Sequence, residues 1–576
     1  MTEMLSLPVS TSHTSTHASV FRPFALFACL MALGTAVLPS SKAAAQTVAV
    51  SGGRVVLVLP FDNRSGDPSL NWIGDSFPDT LNKRLESAGF LTISHDDRNF
   101  AYDHLGLPVD FQPSRATAIR IAQQLDANFI IIGSYNIERP ATTQAKPGTD
   151  AAASSATFAN SRIMIQARVL SLDELTLKSP VEDSAELDRL FDAENAIAWK
   201  AARVLDTHFN VAEPTFLAAP GAVPLAAFED YIRGTNSSSA AERVKRLQAS
   251  VALVPTYSAA LLALGKEQFA QRDYAAAAAT LAKVPRNDRI ALEANFYLGL
   301  ARFNTANYAA ASDAFAFVAS KLPLPEVINN QAVALSRQSK DGVALFQRAS
   351  SADPSDEDYH YNLAVAFYRR GDTQNAIAEI AEALKLKPND NEAVALKKQL
   401  ASVAPGTKMA TDTGASFTAA ERIRRNYSET SFRQAAFLMD QMRSARLATL
   451  PPAQRAAEFT QQGRDYLAEG LLPEAEGQFQ LAITADPNAY EAHAGLAQIR
   501  DASGDATQAR SQAQLSNTLH PNASAWMVLA RLDLAANQML NCAEDVAHAL
   551  QLEPNNTAAQ AMKVLLVQRG QWVPTT

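Results

Sequence analysis

The chain has 576 residues, 47% of them hydrophobic, and two cysteines; that length accommodates roughly two to four domains with ordinary apolar cores. Against 51 Lys and Arg stand 59 Asp and Glu, a net charge of −8 at pH 7, which weighs against nucleic acid, whose binders carry a basic face. Cys29 lies in a leader described next, so Cys542 alone can close neither an internal disulfide nor a zinc site that needs several thiols.

At the amino terminus Arg22 precedes the apolar run "FALFACLMALGTAVL", Phe24 to Leu38, and small residues lead to "AAAQ" at Ala43 to Gln46. A positive start, a short apolar stretch and an A-x-A site predict a secretory signal peptide over 1–45, cut after Ala45. The run is shorter than the roughly 20 apolar residues that span a bilayer; an uncleaved anchor is the alternative. "LFAC" ending at Cys29 has the look of a lipoprotein signal, but Phe27 is bulky for that and the apolar run continues beyond the cysteine.

From Arg54 to Phe209 short apolar runs alternate with helical spacing. "RVVLVLPF" predicts a buried strand, and Ile73, Phe77, Leu81 and Leu85 mark a helix. A strand at Phe90–Ser94, a helix at Ser114–Leu125, strands at Asn128–Glu138 and Arg162–Leu172, and a long helix at Glu186–Phe209 follow. This β-α-β-α-β-β-α order predicts an α/β domain over 54–209, a partly parallel sheet with flanking helices. "PATTQAKPGTDAAASSATFAN", Pro140–Asn160, reads as a surface loop inserted between the third and fourth strands.

The first strand runs into "DNRSGDPSLNWIGDS", the order in which phosphate loops are built. It has neither GK[ST] nor G-x-G-x-x-G, and Asp62, Asp67 and Asp75 would repel phosphate. Asn63, Ser65, Gly66, Asp67 and Pro68 are turn formers, so the loop reads as a structural corner; Asp62, Asn63 and Asp67 could alternatively meet a hard cation, without EF-hand spacing. "SHDDRNFAYDH", with His95, Asp96, Asp97 and His104, lacks H-E-x-x-H spacing and reads as a polar turn. "GSY" at Gly133 lacks the G-x-S-x-G of a nucleophile elbow. No catalytic residue, metal ligand or cofactor site is expected.

In "VLPFDNRSGDPSLNWIGDSFPDTLNKRL", "AIRIAQQLDANFIIIGSY", "RIMIQARVLSL" and "LFDAENAIAWKAARVL" the domain resembles the TolB amino-terminal-like domain, related to FlgO-type proteins of cell-envelope machinery. The resemblance spans about 55–207 and implies an α/β fold placed ahead of tetratricopeptide repeats, with no catalytic residues. Relatives tend to have glycine where this chain has Asp126, and often carry a DNA-binding, cyclase or kinase domain where this chain has its leader.

The remainder repeats. In "YNLAVAFYRRGDTQNAIAEIAEALKLKP", Leu363, Phe367, Gly371, Ala376, Ile380, Ala383 and Pro388 set a frame that recurs as Gly463, Tyr466, Gly470, Ala475, Phe479, Ala482 and Pro487. Leu496, Gly504, Ala509 and Pro521 repeat it, as do Trp526, Leu529, Ala530, Ala549 and Pro554, and more eroded copies begin at Leu264 and Leu298. A period of about 34 residues with these small and large positions resembles the tetratricopeptide repeat. The resemblance implies an all-α solenoid in two arrays, 225–403 and 453–569, the second including a capping helix near Thr557–Arg569. The linker 404–416 and a helical connector over 417–452, with an amphipathic stretch at Phe432–Arg455, join them; that stretch packs on the second array or hangs as a loose arm. Gly371, Gly470 and Gly504 should take positive φ where the first helix of a unit ends. Cys542 falls at a small-residue position and reads as a buried structural thiol.

Stacked helix pairs leave a groove lined by their first helices, a surface that takes peptides or partner helices. The frame places Lys266, Phe269, Phe303, Tyr361, Tyr368, Arg369, Arg464, Gln498, Asp501 and Arg531 on that surface. The expected function is a non-enzymatic, exported scaffold or assembly factor of the bacterial cell envelope. Its expected partners are proteins or peptides, envelope-assembly components among them, with no nucleic acid and with membrane association only through an uncleaved leader. Two other readings stay open: a sensor whose α/β domain binds a small molecule and whose repeats relay it, and a hydrolase whose site is assembled from distant residues.

Overall fold

The structure, a computed structural model, describes residues 55–108, 111–138, 161–218, 223–404, 406, 419–425, 442–443 and 445–574. The leader, the Pro140–Asn160 insertion, most of the 404–416 linker, and residues 432–441 and 444 of the amphipathic stretch lie outside the described residues.

The α/β domain is built on a seven-stranded mixed sheet. β1 (Val55–Val58) pairs in parallel with β3 (Leu91–Thr92) and with β4 (Phe129–Glu138), and β2 (Asp62–Asn63) also runs parallel to β4. β5 (Arg162–Ser171) is antiparallel to β4 in a register from Phe129↔Ser171 to Glu138↔Arg162. β6 (Thr176–Leu177) and β7 (Val181–Glu186) both pair with β5. On one face α1 (Asn71–Ser87) and α4 (Leu190–Leu205) cover Val56, Val58, Ile131, Ile163 and Ile165. On the other, α2 (His95–His104) and α3 (Arg115–Gln124) cover Leu57, Leu59, Ile130 and Leu170. Residues buried on both faces make β1 a continuous apolar run rather than an alternating one.

The stretch expected as a polar turn at Ser94–His104 is instead the helix α2. Ser94 caps it by accepting from the Asp97 N–H, Asp96 and Asp97 sit in its first turn, and Ala101 and Tyr102 are buried beneath it. Periodicity was masked by its polar outer face. Between α3 and β4, Asp126 adopts φ of 49°. This left-handed conformation is one that glycine adopts without the steric cost an L side chain pays. Asp126→Gly is expected to raise stability slightly, by about 0.5–1 kcal/mol, read as a small rise in Tm.

The helical part shares the core of the α/β domain. α6 (Leu225–Thr235) and α7 (Ala240–Leu253), which follow the short α5 (Glu213–Leu217), place Phe228, Tyr231, Ile232 and Leu247 in the same core as Trp72, Ile73 and Phe77 of α1. Tyr231 donates to Asp79 at 2.7 Å and Arg233 donates to the Ser69 carbonyl at 2.6 Å. Helix pairs then follow: α8 (Ser258–Ala270) with α9 (Tyr274–Leu281), α10 (Ala291–Asn304) with α11 (Tyr308–Lys321), α12 (Pro325–Ser336) with α13 (Val343–Ala352), and α14 (Glu357–Arg370) with α15 (Thr373–Leu386), ending on α16 (Asn391–Ser402). The second array holds α17 (Pro452–Ala468) with α18 (Leu472–Ala485), α19 (Tyr490–Ala502) with α20 (Ala506–Leu519), α21 (Ala523–Ala535) with α22 (Met539–Leu552), and α23 (Thr557–Gln568) over its end. Gly371, Gly470 and Gly504 take φ of 90°, 78° and 80° where first helices end. The second array meets the rest of the molecule through α5: Glu476, fully buried, accepts from the Ala212 N–H at 3.0 Å and from Arg500 at 2.6 Å, while Arg500 also donates to Thr215. Arg289 pairs with Glu474 beside this junction.

Candidate functional site

All of the residues expected along the groove fall on the first helices of their units, but they do not form one open surface. On α8, Lys266 sits 2.8 Å from the Glu293 carboxylate, 5.5 Å from the centre of the Tyr297 ring and 3.8 Å from Asp96 of α2. Phe269 packs half-buried against Tyr274 and Tyr297, and Phe303 against Tyr308. Tyr361 and Tyr368 are corrected from open contact residues to buried ones, 1% and 3% exposed. Tyr368 belongs to the core under α14, and Tyr361 is covered by the chain itself.

That cover is Ala419–Arg425, which the sequence places in a helical connector. It is not helical, because side chains of the array take its backbone hydrogen bonds instead. Asn362 holds Arg422 at both main-chain groups, accepting from its N–H at 2.6 Å and donating to its carbonyl at 2.7 Å. Asn330 does the same for Arg424, at 2.8 and 2.7 Å. Asn329 adds a 3.1 Å bond to the Arg422 carbonyl and accepts from Asn362 at 2.7 Å. The three asparagines are fully buried beneath the segment. Clasping every second residue is the signature of an extended strand, whose alternate residues face one way.

The side chains are read as well. Glu421 is enclosed by Ser336, which donates to it, and by Arg337 and Arg369, each 3.0 Å away. Arg422 lies over the Tyr361 ring, 3.9 Å from its centre, and reaches Asp358, Asp390 and Glu392 at 2.7 Å each. Arg424 pairs with Asp356 and, at 3.2 Å, with Asp358. Hydrogen bonding to Arg422 holds the Asp390 carboxyl below its ordinary range, whereas burial raises Asp356 despite its partner. Burial likewise pushes the Tyr361 hydroxyl up to about 12. Ile423 contributes the apolar contact, packing between the cores under α14 and α10. Charge-assisted bonds of this kind are roughly twice as strong as neutral ones.

Reasoning from the frame found Tyr361 and Arg369 but missed the asparagines and the segment. The available signal was the pair Asn329 and Asn362, 33 residues apart at equivalent places in consecutive units, where a buried helical Asn needs a partner.

The second array keeps its inner face more open. Arg464 is exposed and pairs with Glu491 at 3.0 Å; Arg531, also exposed, pairs with Asp501 at 2.7 Å, and Gln498 lies half-buried near Asp501. These pairs bridge first helices of neighbouring units.

In the α/β domain the corner after β1 consumes its own polar groups. Asn63 donates to the Asp67 carbonyl at 2.8 Å and accepts from the Ser65 N–H at 2.9 Å, while Asp67 accepts from the Ser69 N–H at 3.0 Å. An open depression of about 610 Å³ lies over β4, β5 and β7, lined by Arg64, Tyr135, Gln166 and Glu182 among others. Cys542 is buried 3.8 Å from the Met562 sulfur, and burial pushes its thiol up to about 11, far from the range of a nucleophile.

The tetratricopeptide repeat family model matches residues 333–391 and 460–523. The helix pairs are tetratricopeptide-like repeats. No curated protein matches the chain. Among solved structures it is similar to YrrB, described as a TPR protein with an unusual peptide-binding site, at 14% identity over 35% of this chain and 98% of that one, with a TM-score of 0.27. It is similar to MamA from Desulfovibrio magneticus RS-1 at 17% identity over 32% of this chain and 99% of that one, with a TM-score of 0.26. A third is the LpoB C-terminal domain from Salmonella enterica, at 17% identity over 24% of this chain and 88% of that one, with a TM-score of 0.17. Proteins built from tetratricopeptide repeats generally mediate protein–protein interaction.

Proposed function

We propose that this protein is an exported, non-enzymatic scaffold that holds a polypeptide partner in the bacterial cell envelope. One observation supports the reading: the inner face of the first array holds the chain's own Ala419–Arg425 as an extended polypeptide, with paired main-chain bonds from Asn330 and Asn362. Main-chain bonds supply affinity without sequence preference, and the acidic and basic walls supply selectivity. The α/β domain, in this reading of the TolB amino-terminal-like kind, seats the array. The leader ending at Ala45 carries the chain across the cytoplasmic membrane, and envelope-assembly components are the partner class.

The test is crosslinking and capture from the protein's own cell envelope with the native chain and with Arg464→Glu/Arg531→Glu, which reverses charge on the exposed second face. A discrete partner, recovered at least tenfold less by the variant, is expected, from a chain whose first residue is Gln46. Recovery of no partner, or a chain retained in the cytoplasm, would remove the reading.

A further inference from the structure

The contacts that hold Ala419–Arg425 in the first array are mostly ionic and main-chain, the kind that exchange with water or with another peptide, and the apolar share is confined to Ala419 and Ile423. Each residue meets a different wall: Glu421 a basic pocket, Arg422 and Arg424 an acidic one, Ile423 an apolar seam. The acidic wall is also in excess. Asp356, Asp358, Asp390 and Glu392 meet the two guanidinium groups of Arg422 and Arg424, and Lys387, which also acts on Asp390, is itself paired with a further carboxylate, Glu357.

We propose that the face formed by α12, α14 and α16 is a binding site for an extended peptide of the pattern acidic–Arg–apolar–Arg, and that Glu421–Arg424 is a resident copy displaced by a protein partner carrying the same chemistry. The excess of carboxylates favours a partner richer in basic residues than the resident. A tethered segment acts at an effective concentration of millimolar order, so the partner must gain contacts that the resident does not make. The half-buried Phe269 and Phe303, further along the same face, offer them. This inference rests on the reading of the repeats as a protein-binding scaffold and names the chemistry of what they bind.

The probe is a labelled peptide, AAERIRR, the sequence of 419–425. It is titrated against the full chain and against Arg422→Ala/Arg424→Ala, which loosens the resident while leaving the walls intact. Binding at least tenfold tighter to the variant is expected. The gain should vanish when Asn362→Ala is added, and with a peptide whose first two arginines are alanine. A variant that unfolds as cooperatively as the native chain yet binds the peptide no better would overturn the proposal. Should the double variant lose cooperative unfolding, Arg424→Ala alone, which leaves Arg422 over Tyr361, should show about a threefold gain, and the absence of any gain would overturn the proposal equally. Peptide binding without a captured envelope partner leaves the site standing and removes the scaffold reading. A captured partner without peptide binding does the reverse.

Discussion

Replacing Glu194 with Gln is expected to flatten the pH dependence of stability between pH 5 and 8. Glu194 is fully buried between α4 and α1, and its carboxyl is pushed up to about 8, first by burial. Ser76 and Thr80, the latter at 2.6 Å, donate to its two carboxyl oxygens and favour the charged form, which offsets only part of the effect of burial. A carboxyl whose folded-state pKa lies above its unfolded value near 4.5 binds more protons in the folded state throughout that interval. Its stabilising contribution is therefore complete below about pH 4.5 and is lost as the pH rises towards 8. At about 1.4 kcal/mol per pKa unit the native chain should lose roughly 3–5 kcal/mol across the window. Glu194→Gln keeps the shape but carries no titrating group. Urea unfolding at intervals from pH 5 to 9 checks this: the variant should be the more stable protein at pH 8, and parallel curves would show that Glu194 does not govern the slope.

Phe479→Ala is expected to cost the second array about 3–5 kcal/mol. The ring is wholly buried on α18, between Gly463 on α17 and Gly495 on α19. A Cβ placed on either glycine would lie 2.6 or 2.3 Å from the ring, inside contact distance. The ring thus fills space that two successive first helices leave by lacking side chains, and deleting it opens a void that neither backbone can close. The loss should appear as a lowered urea midpoint, with hydrogen exchange rising first in α17–α19. In a stack whose units contact chiefly their neighbours, the damage stays near its source. Uniform loosening of α8–α16 instead would show that the arrays unfold as one.

The parts of the fold that were readable before the structure are those in which side-chain size and backbone sterics act locally. Gly371, Gly470 and Gly504 mark helix ends because little else tolerates their dihedral angles, and the second helices of those units stop shortly before Pro388, Pro487 and Pro521 because proline cannot continue them. Four strands were equally legible, β1 and the start of β4 as apolar runs and β5 by its alternation of buried and exposed residues, whereas the short β2 and β6 and the polar β7 gave no such pattern. Two other features were not legible. α2 is largely polar outside, buries only Arg98, Ala101 and Tyr102, and leaves Phe100 exposed. The groove's asparagines were invisible for a different reason: Asn329, Asn330 and Asn362 look like weak helix formers until the segment that satisfies them, some sixty to ninety residues away, is brought alongside. Long-range polar pairing leaves no periodic trace in a sequence. The surface read from the frame lies on the first helices, but in the first array part of it is covered by Ala419–Arg425 rather than vacant.

The shared core of α1 and α6 has a further consequence. Repeat arrays need a finishing piece at each end to hide the apolar side of the outermost unit from water. At the far end α23 supplies it; at the near end no modified repeat does, and the sheet domain takes that place, with Trp72 meeting Phe228 edge-on at 6.2 Å and Phe191 packing at 4.1 Å. The α/β domain is thus the stopper of the solenoid as much as a neighbour to it. Through these shared side chains the sheet domain and the first turns of the superhelix are packed as one core.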